Sequence, residues 1–172
     1  MMKKVTQVIR FRMRKFLLSA ICALAGVAVL VAPAGAAPAD DETVFLEMVN
    51  EARQSAGLSP LTRDLELEQE ARSWSQVMAD EERMFHAPWT TIVNGRDHWA
   101  WMAENVGVGP LDVDVLFDAF MASPPHRESV MRPYGRLVGI GVVYQDDRMW
   151  MTHRFLEPSF PVIGLWFDRP KP

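Results

Sequence analysis

The chain has 172 residues, with 18 Lys and Arg, 22 Asp and Glu and one cysteine, and its formal net charge at pH 7 is −4. This length fits a single domain that can bury most of its apolar surface. The acidic balance argues against a nucleic-acid partner, whose phosphates require a basic surface. A lone cysteine excludes a disulfide framework within the chain.

The first 36 residues have the pattern of a secretory signal peptide. Six basic residues precede an apolar run over residues 16–31, and Ala34-Gly35-Ala36 supplies the small-x-small site that signal peptidase cleaves. The alternative is an uncleaved anchor, because residues 16–34 are just long enough to span a bilayer. Cleavage after Ala36 would leave 12 basic and 22 acidic residues, a net charge of −10 and no membrane span. We therefore expect a secreted, extracellular monomer.

Helical periodicity and turn signals predict three main helices. A flexible lead-in over residues 37–42 is followed by a predicted helix that ends at Gly57. Asp64 is a candidate N-cap for a second helix that runs to about residue 82. A third helix is predicted over residues 112–122, with one further turn over residues 126–131.

The remaining segments read as a loop, a hairpin and a tail. The periodicity disappears from residue 84 to residue 109, which predicts a long loop that contains three tryptophans. Alternating apolar residues over 137–144 and 149–155 predict an antiparallel hairpin, and the proline-rich tail, residues 156–172, is expected to pack on the domain as an extended cover. Helices followed by a hairpin indicate an α+β fold with helices packed on an antiparallel sheet.

Three residues, His86, Glu104 and His126, have the side chains that bind divalent metals or transfer protons near neutral pH. Two imidazoles and a carboxylate could hold zinc with one open position, or act together as acid and base. The third interpretation is structural, namely a hydrogen-bonded network that ties the loop to a helix. In the sequence, His86 lies 18 residues before Glu104, and Glu104 lies 22 residues before His126. No local metal motif such as His-Glu-x-x-His is present.

Other polar residues are better explained by structure than by chemistry. Asn50 and Arg53 lie one turn apart and are expected to be buried anchors for loop carbonyls. Ser123 lacks the Gly-x-Ser-x-Gly elbow of a hydrolase nucleophile and is expected to end a helix. His153 is expected in the core or at an edge of the hairpin. The loop tryptophans could stack a sugar or a lipid, although packing is their more common role.

Four motifs follow one another along the chain: Asn50-Glu51-Ala52-Arg53 with Gly57-Leu58 and Pro60-Leu61, then His86, then Ala103-Glu104-Asn105-Val106, and then Ser123-Pro124-x-His126-Arg127. In this order they resemble the CAP superfamily, which contains the cysteine-rich secretory proteins, insect venom antigen 5 and the plant pathogenesis-related group-1 proteins. The resemblance covers residues 43–155. The Ser-Pro-x-His-Arg segment and the lack of cysteine after the predicted signal peptide resemble the bacterial branch.

The resemblance implies an α-β-α sandwich with a central antiparallel sheet and a cleft lined by two histidines and two acids. By position, the resemblance implies that His86 and Glu104 correspond to the first cleft histidine and acid. The second acid falls near Ser123, where no carboxylate stands, and the second histidine falls at Trp150. His126 is the candidate substitute, so a zinc site made by His86, Glu104 and His126 is incomplete by the family pattern. Asn50, Arg53, Asn105 and Arg127 are implied to be structural polar anchors.

The leading hypothesis is a non-enzymatic protein that binds a lipid or protein partner at or outside the cell envelope. In this hypothesis Trp89, Trp99, Trp101 and Phe120 line an apolar groove. One alternative is a metal-dependent hydrolase that uses His86, Glu104 and His126. The other is a wall-associated interaction domain with a vestigial cleft.

Overall fold

A computed structural model of the chain describes residues 37–93 and 95–159, and all of them belong to one unit. The predicted signal peptide, residues 1–36, lies outside the described residues. So does the greater part of the predicted tail, residues 160–172.

The described part of the chain forms five helices around a four-stranded sheet. The strands are ordered β1-β3-β4-β2, and β1 is parallel to β3 while the other two pairings are antiparallel. The elements in chain order are α1 Pro38–Ser55, β1 Thr62–Arg63, α2 Leu65–Asp80, α3 Trp89–Ile92, β2 Trp99–Gly109, α4 Val113–Ala122, α5 Pro124–Val130, β3 Leu137–Gln145 and β4 Arg148–Pro158. The predicted α+β class is confirmed, although the two-residue strand β1 makes the sheet mixed rather than purely antiparallel.

Helix α2 covers one face of the sheet at very short range. A Cβ atom added at Gly139 or Gly141 would lie 2.1 Å or 2.0 Å from backbone nitrogen atoms of α2. The two glycines therefore let the helix backbone rest directly on β3. Leu67 and Met78 of α2 fill the space on either side, in clusters with side chains of β2 and β4.

Helices α1, α4 and α5 cover the opposite face and form the larger core. Phe45 and Val49 of α1, Phe120 of α4 and Val130 of α5 pack there against inward-facing residues of β3 and β4 such as Ile140. Because side chains alternate along a strand, each strand supplies both layers. The result is the three-layer α-β-α arrangement expected from the family resemblance.

Two predicted boundaries were wrong. Residues 37–42 are not a flexible lead-in, because α1 begins at Pro38, where proline lacks only an N–H that a helix end leaves unpaired anyway. Glu42 in the second turn is 2% exposed and pairs with Arg72 of α2 while accepting a hydrogen bond from the backbone N–H of Val142 at 2.9 Å. These contacts hold the first turns of α1 against α2 and β3.

The long loop predicted over residues 84–109 was also wrong in its second half, which forms the eleven-residue strand β2. Its alternation was hard to recognise because Gly107 and Gly109 occupy inward positions beneath Phe120 and Leu116. The hairpin is confirmed, and β4 continues to Pro158, so the first three residues of the predicted tail belong to the sheet. Asp64 and Asp112 cap α2 and α4 through their side chains.

Candidate functional site

Glu104 is the centre of the polar site on the α2 side of the sheet. Strand β2 places it in register with Arg154 of β4, and its side chain is 2% exposed. Oε1 accepts a hydrogen bond from the backbone N–H of Ala87 at 2.9 Å and lies 3.1 Å from Nδ1 of His86. Oε2 accepts one from Nε of Arg154 at 3.2 Å. Both carboxylate oxygens are therefore engaged by donors from this chain.

His86 is positioned by the turn that follows α2, and its side chain is 59% exposed. Because an ionised carboxylate only accepts hydrogen bonds, Nδ1 must carry the hydrogen in its contact with Glu104. Nε2 then remains as the acceptor nitrogen of the neutral ring. The pair can orient an imidazole at the surface, which is the arrangement of a proton acceptor.

His126 lies in α5, in the layer on the other side of the sheet. Its ring packs edge-to-face on Phe120 with a centroid separation of 5.1 Å. Burial, and secondly the charge of His86, lower the pKa of His126. The two imidazoles therefore interact electrostatically, but within residues 37–93 and 95–159 no three or more His, Cys, Asp or Glu side chains are grouped so that they could hold a metal ion.

Arg154 extends the site into a chain of ion pairs. It is 3% exposed and contacts Glu70 of α2 at 3.0 Å as well as Glu104. Arg96, which precedes β2, contacts the other oxygen of Glu70 at 3.0 Å. Arg96 also lies 3.6 Å from the exposed carboxylate of Glu66. Three carboxylates therefore surround two guanidinium groups, and the cluster carries one net negative charge.

Three of the four expected anchors hold backbone groups. Asn50 exchanges two hydrogen bonds with the backbone of Leu61, at 3.0 and 2.7 Å. Arg53 is fully buried, donates to three loop or helix-end carbonyls, and has its pKa lowered to about 10 by burial and by the charge of Arg136. Asn105 donates to the backbone carbonyl of His126 at 3.0 Å and so ties β2 to α5.

Arg127 does not share this role, because it is exposed on the outer side of α5. There it lines a surface groove, described below, together with the last turn of α4. Ser123 stands at the junction of the two helices, where it ends α4 and begins α5.

The four residues expected to line one apolar groove do not do so. Phe120 is 3% exposed and lies in the core beneath α4. Trp101 packs against Phe155 on the α5 side, with the guanidinium group of Arg132 4.5 Å above its ring. Trp89 and Trp99 form a separate edge-to-face pair with centroids 5.8 Å apart. The register of β2 with β4 shifts between Trp99 and Trp101. This irregularity explains the separation, because residues two apart in a regular strand would face the same layer.

His153 was expected in the core or at an edge of the hairpin, and it lies in the core. It is completely buried, and its ring centroid lies 4.3 Å from that of Phe45 and 4.4 Å from that of Phe120. Neither ring nitrogen has a hydrogen-bond partner in the part of the chain that the structure describes. Burial, with a smaller contribution from the charge of His126, lowers the pKa of His153 to about 3.

The groove itself was missed by sequence reasoning. It lies between the end of α4 and the outer side of α5 and has a volume of about 390 Å³. Its lining residues are Met121, Ala122, Pro124, Arg127, Glu128 and Met131. The spacing of residues 124, 127, 128 and 131 is that of one helix face, but Ser-Pro-Pro hid the start of this short helix.

The three-layer fold and the order of the motifs define a CAP, or SCP, domain. Residues 46–153 match the model of the family described as the cysteine-rich secretory protein family, and the chain belongs to this family. Trp150 is buried on the α2 side with Met78 and Val106.

Three relatives illustrate the match. The uncharacterized protein YkwD of Bacillus subtilis is 28% identical over 121 residues, which are 67% of this chain and 46% of that protein, so the chain spans about half the length of this curated relative. A cysteine-rich secretory protein from Staphylococcus aureus has 27% identity and a TM-score of 0.59, covering 70% of this chain and 39% of its own. An outer surface protein from Borrelia burgdorferi has 17% identity and a TM-score of 0.65, covering 72% and 96%, and shows the shared fold.

Proposed function

We propose that this protein is a secreted, non-enzymatic interaction domain that binds a protein partner at or outside the cell envelope. The observation that carries the proposal is the exposed groove between α4 and α5. The family to which the chain belongs supports such a role, and so does the predicted signal peptide over residues 1–36. Among the described residues, no helix is both long enough and apolar enough to cross a bilayer.

The lining of the groove suits an adaptable apolar contact. Met121 and Met131 stand on either side, and methionine side chains adjust easily to the shape of a partner. A volume of about 390 Å³ lies at the small end of the range for ligand sites. It is large enough for one or two apolar side chains of a partner.

A protein fits this groove better than a lipid does. Lipid and drug sites enclose most of the ligand surface, whereas an open groove of this size would leave much of an acyl chain in water. Asp118 lies one turn before Met121 on the same side of α4, and Glu128 lies within the groove. Arg127 also lines the groove. We therefore propose a partner segment that inserts an apolar side chain, places basic residues near Asp118 and Glu128, and offers a hydrogen-bond acceptor to Arg127.

The hydrolase alternative receives less support. His86 and Glu104 are in contact, but the carboxylate is engaged on both oxygens and His126 belongs to the other layer. The alternative of a vestigial cleft agrees with the proposal, since in both the binding surface lies away from these residues.

Site-specific photocrosslinking tests the proposal. A photoreactive residue at position 131 should give one discrete protein adduct in the producing cells, and the Asp118→Lys/Glu128→Lys pair should abolish it. The matched control places the same probe at Val77, a partly exposed apolar residue of α2 on the opposite layer. Equal adducts from both positions, or none from position 131, would refute the proposal, and a lipid released by organic extraction would favour the lipid alternative.

The secretion part is tested separately. The mature protein should be recovered outside the cytoplasm with Ala37 as its first residue, by mass spectrometry of the intact chain. A protein that retains residues 1–36 in the membrane would show that the leader is an anchor.

A further inference from the structure

The site at Glu104 differs from one that would hold a divalent metal. A metal needs free lone pairs on the carboxylate, and here Oε1 faces Ala87 N–H and His86 Nδ1 while Oε2 faces Arg154 Nε. Nδ1 of His86 acts as a donor in this arrangement, which leaves Nε2 as the ring nitrogen that could bind a metal. One imidazole nitrogen is fewer than the three protein ligands of a zinc site, so the His86–Glu104 pair as arranged here does not fit zinc.

Arg154 is the residue that occupies the position near Oε2 of Glu104 where a metal ion would bind. Its side chain is 4% exposed, it is held from the far side by Glu70 at 3.0 Å, and it lies directly across from Glu104 in the sheet. A guanidinium group keeps its charge at any physiological pH. Unlike a histidine or a lysine, it cannot become neutral to admit a metal ion beside it.

The local charge balance leads to the same conclusion. The buried carboxylate of Glu104 is matched by the buried guanidinium group of Arg154, and Glu70 is shared by Arg154 and Arg96. The further carboxylate of the cluster, Glu66, pairs with Arg96 and is largely exposed. A divalent ion at Glu104 would add two positive charges beside the guanidinium group of Arg154 and would be repelled by it at short range.

We infer that Arg154 acts as an internal cation that takes the place of a divalent metal at Glu104 and excludes one from the His86–Glu104 pair. The site then fixes the position of the loop after α2 without any metal. This inference does not depend on the groove between α4 and α5.

Zinc titration of the full chain tests the inference, with the thermal unfolding midpoint and calorimetric affinity as readouts. Excess Zn²⁺ should not raise the midpoint of the wild-type protein through His86. Arg154→Gln removes the charge and keeps an amide near Glu104, and its zinc affinity should be at least about tenfold higher than that of the wild type, or about 1.4 kcal/mol. Adding His86→Ala to Arg154→Gln should remove the gain.

Two control variants separate this effect from a general loss of charge. Glu70→Gln leaves Arg154 on Glu104, and Arg132→Met removes a different arginine, paired with Glu157 at 3.1 Å on the α5 side. Neither should gain zinc affinity. Arg154→Met replaces Arg154→Gln if the latter does not fold.

The inference is overturned by a wild-type zinc response that His86→Ala removes, a result that needs no Arg154 variant. It is equally overturned by a folded Arg154 variant that binds zinc no better than the wild type. Either result leaves the photocrosslinking test of the groove unchanged.

Discussion

Replacing His153 with leucine should flatten the dependence of stability on pH. The imidazole is completely buried between the rings of Phe45 and Phe120, and neither of its nitrogens has a hydrogen-bond partner among the described residues. A charged imidazole would be very unfavourable there, because burial without a partner disfavours the ionised form. Leucine has a similar volume and does not titrate, so it removes the protonation equilibrium with little repacking.

The magnitude follows from the shift of the pKa. Burial and the charge of His126 lower the pKa of His153 from 6.5 to about 3. The unfolded chain therefore takes up the proton first as the pH falls, and the contribution of the neutral ring to stability is complete above pH 6.5. It declines from pH 6.5 down to about pH 3. The full difference is about 5 kcal/mol, and about 2 kcal/mol of it is lost by pH 5.

Urea unfolding of the wild-type and His153→Leu proteins at pH 7.5, 6 and 5 measures this difference. The free energy of unfolding of the wild type should fall by about 2 kcal/mol more than that of the variant between pH 7.5 and pH 5. The difference in unfolding free energy between the two proteins at pH 7.5 reports only the change in packing. Repeating the pair in a His126→Gln background removes the nearby titrating ring and should preserve most of the difference. Parallel profiles for the two proteins would refute the reasoning.

Two further predictions concern backbone geometry. Glu82, just after α2, has a positive φ of 48°. Glu82→Gly should therefore raise the free energy of unfolding, measured in urea, by about 0.5–1 kcal/mol. Gly57 occupies the equivalent position after α1 with a φ of 74°, and Gly57→Glu should lower the free energy of unfolding. A destabilised Glu82→Gly variant would contradict this account. Gly141→Ala would place a Cβ 2.0 Å from the backbone nitrogen of Arg72 and should lower the free energy of unfolding by about 3 kcal/mol or more. The control is Gly135→Ala, whose added Cβ would have its nearest contacts at 3.4 Å and should change the free energy of unfolding by less than about 1 kcal/mol. Similar effects from the two alanine variants would show that the close approach of α2 to β3 contributes little to stability.

Local sequence signals were reliable where one short segment determines the structure. Asp64, the candidate N-cap, accepts a hydrogen bond from the backbone N–H of Leu67, which is why the start of α2 was predicted. The start of α4 was predicted to within one residue, and the cap that Asp112 provides is seen in the structure. The hairpin was also predictable, since strand alternation and the turn lie close together in the chain. The turn itself has Asp146 and Asp147 at positive φ, 51° and 56°, the geometry that suits a two-residue hairpin.

The signals failed where the meaning of a residue depends on a distant segment. The lead-in was misread because Glu42 looks like a surface residue until Arg72 and Val142 are brought to it. Strand β2 was misread because glycine at positions 107 and 109 conceals an inward-facing side of the strand, and that side is filled by α4 rather than by its own side chains.

The candidate site shows the same division. His86 and Glu104, predicted together, do meet, since β2 returns the carboxylate to the end of α2. His126 lies in α5 and packs on Phe120, and it interacts with the pair through the charge of His86, which contributes to lowering the pKa of His126. Arg154 could not be assigned to the site from sequence, because its contact with Glu104 arises from the register of β2 with β4.

By itself, the sequence determined the family, the fold class, the cap of α2 and the hairpin, because these depend on residue order and on interactions within a few positions. Only the tertiary structure decided which face of the sheet each polar side chain occupies, and therefore which charges meet. Strand register and helix packing bring together residues that are far apart in the chain, and no local pattern records that choice.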